Sequence, residues 1–161
     1  MALHSQLDEL LNAMLPFVQQ FHSKYQLAPH AASMNNAGEI KGSALVTKDN
    51  QSLSVAEAIS HFELKFRKAA EARAIVASAV FFHGVGLAEP AKPAQTEEEA
   101  CALVALMEHR SGQSVFLVIP YSATDSGIQY EMGKLIAKPA AVFLAPEAAP
   151  NAESKPWWRF W

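Results

Sequence analysis

Apolar residues recur at helical spacing from the start of the chain. Leu3, Leu7, Leu10, Leu11, Met14, Leu15, Val18, Phe21 and Tyr25 fall on one side, with Asp8, Glu9, Asn12, Gln19 and His22 on the other. This stripe predicts an amphipathic helix over residues 3–25, with Pro16 inside it removing one backbone donor. A second stripe, Val55, Ile59, Phe62, Phe66, Ala69 and Ala70, predicts a helix over 55–71. Ser54 and Glu57 supply a capping box at its start, and His61, Glu63, Lys65, Arg67 and Lys68 form its solvated face.

The remaining pattern is that of strands. Asn35-Asn36-Ala37-Gly38 tolerates positive φ and predicts a hairpin turn between strands near 30–34 and 40–47. Residues 74–87 are a long β-rich run, and the proline-rich stretch 88–95 is a loop. Residues 96–110 admit two readings. Thr96 and Glu99 fit a capping box, which favours helix. Arg110-Ser111-Gly112-Gln113 resembles a hairpin turn before the clear strand 114–121, which favours a strand over 100–110. The strand is preferred, and the helix stays open.

With Ser111-Gly112 as a two-residue turn, Arg110 faces Gln113. One face then holds Ala102, Val104, Leu106, Val115, Leu117, Ile119 and Tyr121, and the other Cys101, Leu103, Ala105, Met107, Phe116 and Val118. Both faces are apolar, as in strands buried on both sides. Short strands are expected at 129–132 and 141–144.

These elements predict an α+β fold: a predominantly antiparallel sheet with two main helices packed on one face, in the order helix, hairpin, helix, strands. Residues 1–144 form a single domain, 145–156 a linker rich in Ala, Pro and Glu, and 157–161 an aromatic tail. Two helices on one face leave the other to be covered by the tail or by a second subunit. The chain is therefore expected to be a homodimer or larger, with Trp157, Trp158, Phe160 and Trp161 as partner-binding residues.

Composition narrows the function classes. The 161 residues suit one domain with a real core. A net charge of −3 argues against a general nucleic-acid binder. No apolar run approaches the ~20 residues needed to span a bilayer, and the start of the chain lacks the basic and apolar regions of a signal peptide. A soluble, cytoplasmic protein is expected. One cysteine cannot form an internal disulfide or a cysteine-based zinc site. Cys101, among Ala and Leu and just after Glu97-Glu98-Glu99, reads as a small buried hydrophobe rather than a nucleophile.

The six histidines, His4, His22, His30, His61, His83 and His109, are scattered, with no H-E-x-x-H. A ligand or metal site could assemble in space from His30, His83 and His109 with Glu108. Adjacent strand residues point to opposite faces, so Glu108 and His109 are not a direct acid–base pair, and Glu108 reads as a rim charge. Gly84-Val85-Gly86 lacks the third glycine and the following helix of a dinucleotide fingerprint. No cofactor is expected.

The element order resembles the profilin-like layout of roadblock-type dimerisation modules, without a clear closing helix. Leu15-Pro16-Phe17 in the first helix, Glu108 to Gly112 ending one strand and Pro120-Tyr121 ending the next also resemble a group of small bacterial proteins of unknown function. That resemblance spans about residues 7–133 and implies a fold but no activity. The function expected is a non-enzymatic interaction or self-association module. The alternatives are a small-molecule binding module with an apolar pocket, and an enzyme in which two of His30, His61, His83 and His109 converge with a carboxylate.

Overall fold

A computed structural model describes residues 2–22, 29–43, 54–85, 92–94 and 99–144. The linker and aromatic tail expected at 145–161, and the Thr96 end of the second capping box, lie outside them. The elements are helix α1 (Ser5–His22), strands β1 (His30–Asn35) and β2 (Ile40–Ser43), helix α2 (Val55–Glu71), and strands β3 (Ile75–Val85), β4 (Lys92–Pro93), β5 (Ala102–His109), β6 (Ser114–Thr124), β7 (Gly127–Tyr130) and β8 (Lys134–Ala137).

The fold class is the one the pattern predicts: two helices and an antiparallel sheet. The strand order is β2-β1-β3-β5-β6. The free side of β6 is shared by β8, along Val115 to Val118, and β7, along Tyr121 to Thr124. The capping box of α2 forms, with the Glu57 amide donating to Ser54 Oγ at 3.1 Å. Strand wins over helix for Ala102–His109 because both of its edges are taken up, by β3 and by β6.

Four expectations about the fold need correction. The helices do not share a face. Leu7, Leu10, Met14 and Val18 of α1 pack on Met34, Phe81, Leu103, Met107 and Leu117. Ile59, Phe62 and Phe66 of α2 pack on Val80, Phe82, Val104, Leu106 and Phe116. Successive strand residues alternate between these two sets, so each helix covers its own face. Both sides of β3 and β5 are thereby buried within one chain, and neither a tail nor a second subunit is required to cover them.

The β5–β6 register is also one residue from the expected one. His109 donates to the Gln113 carbonyl at 2.9 Å and Gly112 to the His109 carbonyl at 3.0 Å. The loop is therefore the three residues Arg110, Ser111 and Gly112, with Gly112 at φ 104°. Met107 pairs with Val115 and Leu106 with Phe116, so β6 presents the opposite face relative to β5.

The third correction concerns the end of the chain. The strands after β6 are Gly127–Tyr130 and Lys134–Ala137, not 129–132 and 141–144. Ala141 and Val142 instead form a buried bend. Glu63, expected on the solvated side of α2, is buried.

Candidate functional site

Glu108 is the last even-numbered position of β5 and faces α2. It is not a rim charge: it is 2 % exposed. Its carboxylate accepts from Lys138 Nζ at 2.8 Å, a pair with both side chains buried. The same carboxylate accepts the backbone amides of Ala141 at 3.0 Å, Val142 at 2.9 Å and Phe143 at 3.3 Å. Arg67 of α2 donates to the Ala141 carbonyl at 2.8 Å from the other side. The bend at 141–143 is thus wrapped around one anion and tied to α2. This concave row of amides resembles an anion nest, and the anion is supplied by the chain itself.

His109, one residue on, faces α1 and is also buried. The Ser111 amide donates to its Nδ1 at 3.0 Å, so the proton sits on Nε2, which donates to Gln6 Oε1 at 2.7 Å. The ring stacks on His4 with centroids 3.6 Å apart. Burial first, then the nearby positive charges of His4 and Arg110, push the imidazole from 6.5 down to about 4. Gln113 completes this clasp on the N-terminal segment, accepting from the His4 amide at 2.7 Å and donating to the Ala2 carbonyl at 2.8 Å.

His83 lies at the other end of the sheet. It pairs with Leu103, whereas His109 pairs with Ala77. Six residues of β5 separate the two positions, about 20 Å at ~3.3 Å per residue. His83 Nδ1 and the Tyr121 hydroxyl are hydrogen-bonded at 3.2 Å. Tyr121 packs edge-on against Tyr130, with centroids 5.8 Å apart. Burial raises the Tyr130 phenol. Cys101 is half-buried at the same corner; its carbonyl accepts the Tyr121 amide at 3.0 Å. His30 pairs with Phe81, two residues from His83 and on the same face, and its imidazole is lowered by burial. The ring of Phe17 stands edge-on to it at 5.6 Å.

The structure therefore brings His30 and His83 to one corner, sets His109 at the opposite end, and turns Glu108 to the other face. Among the described residues no three histidine, cysteine or carboxylate side chains gather as a metal site would need. His61 is exposed on α2, across the sheet from His30, His83 and His109. Trp157, Trp158, Phe160 and Trp161 lie outside the described residues. The residues missed from sequence are the long-range partners: Lys138 for Glu108, Gln6 for His109 and Tyr121 for His83. A spacing of 30 to 103 positions leaves no local signal for the Glu108 and His109 pairs.

One surface of a different kind stands out at the edge of the sheet. Strand β2 ends the strand order, and Ile40, Lys41 and Gly42 are exposed. The Asn35 amide donates to the Glu39 carbonyl at 3.0 Å, and the pairing continues through Ser33 with Lys41 and Ala31 with Ser43. Hydrogen-bonded and non-bonded pairs alternate along an antiparallel ladder. The backbone groups of Ile40 and Gly42 consequently point away from β1, to the side where no described strand lies.

No family model, no curated protein and no solved structure matches this chain.

Proposed function

We propose that this chain is a non-enzymatic interaction domain that associates with a second copy of itself through strand β2. The observation that carries this is the outward row of backbone donors and acceptors at Ile40 and Gly42, on an edge strand with an exposed apolar side chain. Such an edge is a template for strand addition. The polar groups that first suggested chemistry support the same conclusion. Glu108 and His109 spend their hydrogen-bonding capacity inside the fold, each holding a terminal segment on the sheet.

A single, half-buried cysteine, Cys101, suits a reducing compartment such as the cytoplasm. No described helix is long and apolar enough to cross a membrane. The aromatic residues Trp157, Trp158, Phe160 and Trp161 are proposed as a second contact, for a protein partner.

A four-residue edge buries less than the ~1,200 Å² of a stable interface, so the association is expected to be weak and concentration-dependent. Sedimentation equilibrium of the full chain should show monomer and dimer in exchange. Gly42→Pro should give monomer: proline there removes an outward donor, leaves the bonds to β1 intact, and meets open space, since no atom lies within 4 Å of an added Cβ. A dimer that survives Gly42→Pro unweakened would place the interface elsewhere.

A further inference from the structure

We infer that the two copies of β2 meet antiparallel about a two-fold axis at Ile40, with Glu39 of each chain opposite Lys41 of the other. This rests on the edge-strand association proposed above and names its register. The outward backbone groups belong to Ile40 and Gly42, so residues of that parity must oppose one another in any hydrogen-bonded pairing across the edge. Three antiparallel registers satisfy this near the exposed stretch. Centring on Lys41 sets two like charges side by side, which is unfavourable. Centring on Gly42 sets Lys41 opposite Ser43 and Ile40 beyond the described end of the strand. Centring on Ile40 places Ile40 against itself, in a hydrogen-bonded pair. It also forms two Glu39–Lys41 pairs at the closer, non-hydrogen-bonded positions on either side.

The side chains fit this arrangement. Ile40 pairs with Met34 within the chain and so lies on the α1 face; Lys41 pairs with Ser33 and lies on the α2 face. Directly opposite residues share a face, so the axis would bring two exposed Ile40 side chains together and leave the charged pairs on the other side. The sheet would continue from one chain into the next.

The other edges lack this self-complementarity. In β7, Gly127-Ile128-Gln129-Tyr130, there is no charge to pair. In β8, Lys134-Leu135-Ile136-Ala137, the single lysine would face Ala137 across a central axis. Among the described edges, only that of β2, taken with Glu39 just before the strand, sets opposite charges symmetrically about an exposed apolar residue. With their own flanking residues β7 adds only Glu131 and β8 only Lys138, and β4, Lys92-Pro93, holds no acid.

The test is sedimentation equilibrium of the full-length chain at low ionic strength, where exposed pairs contribute most. Glu39→Lys and Lys41→Glu each create two like-charge contacts and should weaken the homodimer about tenfold. The double variant Glu39→Lys/Lys41→Glu should recover wild-type association. An equimolar mixture of the two single variants should form a heterodimer more readily than either forms a homodimer. Circular dichroism unchanged from wild type checks that these exposed substitutions leave the fold intact. A wild-type dimer indifferent to both single changes, or a double variant as weak as the singles, overturns the register and leaves the edge association standing. A wild-type chain that stays monomeric at every concentration overturns both.

Discussion

At Glu108, burial and bonding outweigh position. A carboxylate near the end of a strand reads as a solvated rim charge, and cheap to remove. Here it is buried, paired with Lys138 and capped by three successive amides. Removing one member of such a pair strands the other in the interior. Glu108→Ala should therefore cost about 3–5 kcal/mol in urea unfolding, as much as emptying the core at Leu106 or Phe116. A loss below about 1.5 kcal/mol would show the bend at 141–143 to be held by something else. His109 makes a second prediction, in pH. Its folded value of about 4 lies below the ordinary 6.5, so the unfolded chain binds the proton more readily. Its contribution is complete above pH 6.5, falls as the pH drops through the interval to about 4, and is absent below it. The loss is on the order of 2–3 kcal/mol. Stability measured across that interval should fall in the wild type and flatten in His109→Gln; equal slopes would contradict the assignment. Neither environment was legible in the sequence. Strand alternation correctly sends Glu108 and His109 to opposite faces, but the groups that bury and bond them come from the far ends of the chain.

Among the elements, local signals are legible in the sequence and strand pairing less so. Helix α2 starts and stops where its stripe and its Ser54 cap put it, because capping is a contact over three residues. The Asn35 to Gly38 turn is likewise local, with the Ala37 amide on Asn35 Oδ1 at 2.9 Å and Gly38 at φ 83°. The β5–β6 hairpin shows where such reading fails. Ser111-Gly112 looks like a two-residue turn, but the Gly112 conformation completes a three-residue loop. That single residue reverses β6 against β5. Composition does not reveal the shift, because both faces are apolar and hydrophobic pattern does not choose between the registers. The same property conceals the outcome for 141–144: an apolar run can become a strand or, as here, a bend folded over a buried carboxylate.

For the whole molecule, the doubly apolar central strands are buried on both sides, as their pattern predicts, and the antiparallel α+β class follows from the element order and its short hairpin connections. What did not follow was the source of the cover. Two helices separated by a hairpin can lie on one face or on two, and only the packing of Leu10 against one set of strand residues and Phe62 against the other decides it. Once each helix has its own face, self-association no longer follows from a bare sheet face and rests on the edge at β2. Backbone amide exchange measures that edge most directly. Lys41 and Ser43 bond to β1 within the chain, so their amides should exchange slowly at every protein concentration. The amides of Ile40 and Gly42 point outward, and their exchange should slow as concentration rises and the dimer forms. If Ile40 and Gly42 exchange at one rate from dilute to concentrated protein while the chain is seen to self-associate, β2 is not the contact and the proposed function is wrong.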